Sequence, residues 1–257
     1  MGRSRERILE FGSPGTGKTR DIFAIMTWLQ GTGAKFYYID TDDTVERFLE
    51  APHYECLAED NGGPLIHLPA YDWETVKEHR DRIKADFNPN DWIVLDLASS
   101  LWEMVQNWYV RHVFKMDMAD FLLMVRMAMK KDEKALKAFE GWKDWPAIKS
   151  EYAGVMDDLL FKMRAHVYMT AIVSKISDED DKLTKTIFGP YGCKPGGNKQ
   201  LGHQSQSVLL KTVNRDGEIF ATTVKDRERQ RWSEFRVGES PQQFAKSYLM
   251  GVARWRK

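Results

Sequence analysis

Short apolar runs alternate with amphipathic stretches in the first part of the chain. Ile8-Leu9-Glu10-Phe11 reads as a buried strand, and Asp21 to Leu29 reads as the helix that follows it. Lys35 to Ile39 is a second strand that runs into the acidic cluster Asp40-Thr41-Asp42-Asp43. Leu65 to Leu68 is a short strand, Trp73 to Ile83 a helix, and Trp92 to Leu95 a buried strand closed by Asp96. Continuous apolar strands separated by helices predict a mostly parallel sheet covered on both faces, a three-layer α/β architecture.

The pattern then changes. Residues 98–165 are helical in character and read as two or three helices, including a helical insertion at about 115–147. Its aromatics Trp102, Trp108, Tyr109, Trp142 and Trp145 pack helices together or form a docking surface. Val167 to Val173 is the next buried strand. A long, mobile loop is expected at about 175–203, acidic at Asp178 to Asp181 and glycine-rich from Gly189 to Gly202. Ser207 to Thr212 and Glu218 to Val224 predict an antiparallel hairpin turned at Asn214-Arg215-Asp216-Gly217. A last strand is expected over Trp232 to Val237, and a C-terminal helix from Ser240-Pro241, with Ser as cap and Pro at the first helical position.

Length refines this picture: 257 residues suit a single α/β domain carrying that insertion. Acidic and basic residues balance at 38 each, so no global field draws the chain onto nucleic acid. The balance is uneven, with about −6 over residues 1–174 and about +6 over residues 175–257, which places any nucleic-acid surface in the last third. Cys56 and Cys193 have no paired spacing, which argues against a disulfide framework or a zinc site. Met1 to Arg7 is charged rather than apolar, unlike a secretory leader. There is no apolar run of about 18 residues to span a membrane. The expected location is cytoplasmic.

The chemistry is concentrated between the first strand and the first helix. Gly12-Ser13-Pro14-Gly15-Thr16-Gly17-Lys18-Thr19 fits the phosphate-loop pattern G-x-x-x-x-G-K-[ST] at every fixed position. Glycines let the backbone turn its N–H groups toward phosphates, and the helix start adds partial positive charge. Lys18 is placed to reach the β- and γ-phosphates of a nucleoside triphosphate, ATP or GTP, and Thr19 to put its hydroxyl on Mg²⁺. Asp96, at the end of a buried strand, is the second magnesium residue; capping the helix near Ala98 is its structural alternative. Leu97 follows it, so a water-activating carboxylate must come from another strand. Asp42 is the first candidate and Asp40 the second, with capping of a helix from Thr44 as the alternative for Asp42 or Asp43.

Several of these stretches resemble the RecA/RadA recombinase family of P-loop ATPases. Tyr38-Ile39-Asp40-Thr41-Asp42 is similar to its second-strand motif, with Asp42 where the family carries its catalytic Glu. Asp96-Leu97-Ala98-Ser99-Ser100 resembles its magnesium-binding strand end. Gly196-Gly197-Asn198-Lys199 resembles the glycine-rich end of a DNA-binding loop, and Lys225-Asp226-Arg227 a Lys-x-Arg finger that reaches a neighbouring subunit's γ-phosphate. The family's γ-phosphate-sensing Gln has no counterpart; Thr170 or Ser174 occupies that region. The resemblance covers about residues 5–100 and 165–237 and is strongest toward compact bacteriophage RecA-like ATPases, some of them single-strand annealing proteins. It implies an ATPase acting on single-stranded DNA in recombination, annealing or repair, assembled as a homo-oligomeric ring or filament. Lys194 and Lys199 are the expected DNA contacts, and Lys225, Arg227, Arg229 and Arg231 are otherwise an exposed basic edge. The competing readings are a hexameric helicase or packaging motor, and a P-loop nucleotide or small-molecule kinase.

Overall fold

The computed structural model describes residues 5–131, 141–226 and 235–236. Ten strands are described: β1 (Arg7–Gly12), β2 (Phe36–Asp40), β3 (Leu65–Pro69), β4 (Trp92–Asp96), β5 (His166–Ala171), β6 (Val173–Lys175), β7 (Cys193–Pro195), β8 (Ser207–Val213), β9 (Ile219–Asp226) and β10 (Phe235–Arg236). The helices are α1 (Lys18–Leu29), α2 (Val45–Leu49), α3 (Trp73–Asp86), α4 (Ala98–Phe114), α5 (Met118–Lys131), α6 (Gly141–Asp157), α7 (Lys182–Phe188) and α8 (Leu201–Gln204). Eight strands form one sheet in the order β10-β9-β8-β1-β5-β4-β2-β3. Within it β9 alone runs against the others.

Alternation along the strands builds two cores. Ile8, Tyr38, Trp92, Val94 and Tyr168 face α1 and α2. Leu9, Phe11, Ile93, Leu95, Val167 and Met169 face α3, α4 and α6. Both faces are covered, as the continuous apolar runs require, and each fully buried large side chain adds about 1.5–3 kcal/mol of driving force. Asp72 starts α3 by accepting the Thr75 N–H at 2.8 Å. Aromatics of the helical segment 98–165 pack on one another: Trp102 stacks on Trp145 at 6.2 Å and meets Tyr152 edge-on at 5.2 Å, while the Tyr109 hydroxyl donates to Asp144 at 2.6 Å. The Trp142 side chain lies outside those described.

One expectation needs correcting. The segment read as a loop at 175–203 is built from short elements: β6 and β7 pair antiparallel, with α7 between them and α8 after them. Asp181 caps α7 by accepting the Thr184 N–H at 2.8 Å, and Asp180 accepts the Ser177 N–H at 2.8 Å. Asp180 and Asp181 therefore serve as local scaffolding, while the side chains of Asp178 and Glu179 are exposed. The hairpin at Asn214–Gly217 forms as the sequence indicates. The C-terminal helix, and all of the last expected strand except Phe235–Arg236, lie outside the described residues.

Candidate nucleotide site

The site forms where strand ends line up. Asp40 pairs with Asp96 in register, Glu10 with Thr170, and Gly12 with Lys211. Asp40, Asp96, Thr170 and Glu10 thus form one polar row across β2, β4, β5 and β1, on the α1 side of the sheet. Each lies two residues past a buried aromatic or aliphatic residue of that face, so the strand period delivers them together.

The phosphate loop closes over this row. Gly15 and Gly17 have φ of 78° and 77°, a backbone region that side-chain-bearing residues rarely adopt. A Cβ on Gly12 would lie 2.7 Å from the Lys211 carbonyl and 2.8 Å from Thr16 Oγ1, so nothing larger fits there. Thr16 Oγ1 donates to the Ser13 carbonyl at 2.8 Å. Lys18 Nζ lies across the loop, donating to the Gly12 and Ser13 carbonyls at 3.0 and 3.1 Å. Burial pushes the Lys18 ammonium pKa down, against the opposing pull of Glu10, Asp96 and Asp42.

Asp96 is buried and receives three hydroxyls. Thr19 Oγ1 donates to its Oδ2 at 2.8 Å, Tyr38 donates to the same oxygen, and Thr170 donates to Oδ1. Burial raises the Asp96 carboxyl pKa, and these three donors hold it back. Among the described residues no group of three His, Cys, Asp or Glu side chains gathers to hold a metal. The Thr19–Asp96 pair is the hard-oxygen set on hand, and its chemistry suits a magnesium ion that keeps most of its ligands as water and phosphate.

Asp40 and Asp42 have different surroundings. Asp40 is fully buried. Its Oδ1 accepts the Asp42 N–H at 3.1 Å, and its Oδ2 accepts the Thr44 and Val45 N–H groups and His67 Nε2, each at 3.1 Å. Burial alone would raise the Asp40 carboxyl, but these donors, His67 first, outweigh it and hold it below the usual carboxylate range. Asp42 is exposed; partial desolvation and the neighbouring Asp40 charge raise its carboxyl, and Lys18 offsets this.

The other expected residues lie elsewhere. Lys225 Nζ donates to the carbonyls of Gly202, His203 and Ser205 at 2.9, 2.9 and 2.7 Å, closing the C-terminus of α8. Arg227, Arg229 and Arg231 lie outside the described residues. Lys194 is paired with Asp180, whose carboxyl is pulled down to about 2 chiefly by that contact. Lys199 is exposed. Gly197 packs against Ser99 at the start of α4, where a Cβ would lie 2.7 Å from Ser99 Cα. The sequence patterns assign no role to the Tyr38 hydroxyl, His67 or the buried trio of Glu10, Asp21 and Lys211, and give Thr170 only a place in the γ-phosphate-sensing region. For all of these but Asp21, which lies on α1, the signal is a polar residue in the row of a strand's buried face.

No protein-family model matches the sequence, and no curated protein matches it. Solved structures do match. The RadB recombinase superposes with a TM-score of 0.52 at 14% identity, over 94% of this chain and 90% of that one. A KaiC-like protein of the hyperthermophilic archaeon Pyrococcus horikoshii gives a TM-score of 0.53 at 12% identity, over 94% and 89%. At these identities the likeness shows the fold: a P-loop α/β domain with a RecA-like, mostly parallel sheet. No helix among the described residues is long and apolar enough to cross a membrane.

Proposed function

We propose that this chain binds and hydrolyses ATP and acts on single-stranded DNA in recombination, annealing or repair, as a compact RecA-like ATPase of bacteriophage or viral type. One observation carries the nucleotide part. The glycine loop, Lys18, Thr19 and Asp96 meet at one place, with Thr19 Oγ1 2.8 Å from Asp96 Oδ2 and no room for a side chain at Gly12. Gly12–Thr19 would cradle the phosphates of ATP through backbone N–H groups. Lys18 would exchange its two loop carbonyls for phosphate oxygens. Thr19 and, through water, Asp96 would hold Mg²⁺, which when bound neutralises charge on the β- and γ-phosphates.

Asp42 is the residue we assign to orient and deprotonate the attacking water. It is exposed, sits on the loop beside the polar row, and feels the Lys18 charge. Asp40 is unsuited to that role, because two backbone donors and His67 occupy one oxygen and a third N–H the other. A finger reaching a neighbouring subunit falls to Arg227, since Lys225 already serves three carbonyls. DNA contact falls first to Lys199; Lys194 joins only by exchanging Asp180 for a phosphate. The neighbouring fold of the RadB recombinase agrees with this reading.

The test is ATP turnover without polymer, with single-stranded DNA and with duplex DNA, the same samples being sized by gel filtration with a non-hydrolysable ATP analogue. We expect Mg²⁺-dependent turnover stimulated by single strands, and earlier elution with the analogue. Turnover indifferent to both polymers contradicts the DNA assignment, and an unchanged monomer contradicts the intersubunit finger.

A further inference from the structure

We infer that His67 and Asp40 form a positioning pair that fixes the Asp42 loop for water activation; this rests on the reading of Asp42 as the base. The inference starts from where Asp40 spends its hydrogen bonds. A carboxylate is acceptor-only, and this one is held ionised, so His67 Nε2 must carry the proton it shares. The donor is therefore defined whether the ring is neutral or charged.

Each bond to Asp40 fixes part of the loop. Its Oδ1 takes the N–H of Asp42 itself at 3.1 Å. Its Oδ2 takes the N–H groups of Thr44 and Val45, which begin α2. His67, on edge strand β3, donates to that same Oδ2 and sets the plane of the carboxylate. The segment is clasped from two more sides. The Thr41 hydroxyl accepts the Leu97 N–H at 2.8 Å and donates to the Leu97 carbonyl at 3.1 Å, next to Asp96. The Tyr71 hydroxyl donates to Asp43 Oδ1 at 2.9 Å. Asp43 adopts φ of 54°, a left-handed turn conformation that Asp enters more readily than most residues. The Asp42 carboxylate is exposed at the middle of this clasped turn. A rigid loop bearing one free carboxylate is what oriented water activation requires.

His67 is a positioning residue, acting through Asp40. Removing its donor takes one of the four hydrogen bonds from the Asp40 carboxylate, the only one from outside the loop, and loosens the acceptor on which the Asp42 N–H depends. The nucleotide cradle, on β1 and α1, is untouched. The expected effect is on kcat and not on ATP binding.

The experiment compares His67→Leu, His67→Gln and His67→Asn with Asp42→Asn in the full chain. It measures kcat by phosphate release and affinity by titration with a non-hydrolysable ATP analogue. We expect His67→Leu to lower kcat about ten- to hundredfold with analogue affinity kept within about threefold. Gln places an amide donor near the Nε2 position and restores most of the rate, whereas Asn is too short and does not. If His67→Leu fails to fold, the Gln-to-Asn ratio decides. Equal rates in Gln and Asn, or a wild-type rate in Leu, overturn the inference while an inactive Asp42→Asn leaves the base assignment standing. A wild-type rate in Asp42→Asn overturns the base assignment itself.

Discussion

Lys211, Glu10 and Asp21 meet under the phosphate loop, all fully buried. Lys211 pairs with Asp21 and lies 3.6 Å from Glu10, whose other oxygen takes the Tyr168 hydroxyl at 2.9 Å. One ammonium faces two carboxylates, so the site cannot hold both ionised cheaply. Burial pushes the Glu10 carboxyl up to about 8; Lys211 pulls it back and the Asp21 charge pushes it further. A folded-state value above the unfolded one means that the protonated form favours the fold. That contribution is complete below the ordinary carboxylate range and fades as pH rises through about 8. Urea midpoints should therefore fall between about pH 5 and about pH 8, and Glu10→Gln should flatten this dependence. An identical slope in the variant would show that Glu10 is ionised throughout.

At the scale of elements, what could be read from the sequence depends on length and period. The strands that end in Asp40 and Asp96 are five residues long and continuously buried, so both the strands and their acidic ends are legible. The phosphate loop is legible because its glycines obey a fixed spacing. The unit at 172–204 is not, because β6 and β7 have three residues each and α8 has four, too few to show a period. Its one readable sign is the Asp181 cap with Thr184 three residues on. The sequence ranks Asp42 ahead of Asp40 but does not display the partners that occupy Asp40, chiefly His67 on β3.

That unit is held to the site through Gly197, which has φ of 83° and no space beside Ser99. Gly197→Ala should destabilise the chain by about 1–3 kcal/mol and speed hydrogen exchange in β6 and β7. Gly192→Ala is the control, with φ of 67° and open space around it; it should cost only about 1–2 kcal/mol and leave β6 exchange unchanged. Equal exchange in the two variants would mean that the contact with Ser99 does not hold the unit.

Over the whole molecule, a sheet ordered β8-β1-β5-β4-β2 brings residues far apart in sequence to one edge. Thr19 and Asp96, 77 residues apart, touch there. Asp40 and Asp96 pair in register on adjacent strands, and the clasp between Thr41 and Leu97 ties their two loops together. In the proposed reading, phosphate and metal binding by Gly12–Thr19, the aspartate at the end of β4 and the water-activating Asp42 after β2 come from separate segments fixed to one frame. Such a division predicts that losing the activating carboxylate spares binding. The decisive measurement is single-turnover ATP hydrolysis with Mg²⁺ by the wild type and Asp42→Asn, with ATP affinity determined on the same samples. The proposed arrangement predicts that hydrolysis falls at least about a hundredfold while affinity stays within about threefold. Hydrolysis at the wild-type rate in Asp42→Asn, or none in the wild type with ATP and Mg²⁺ bound, would contradict it.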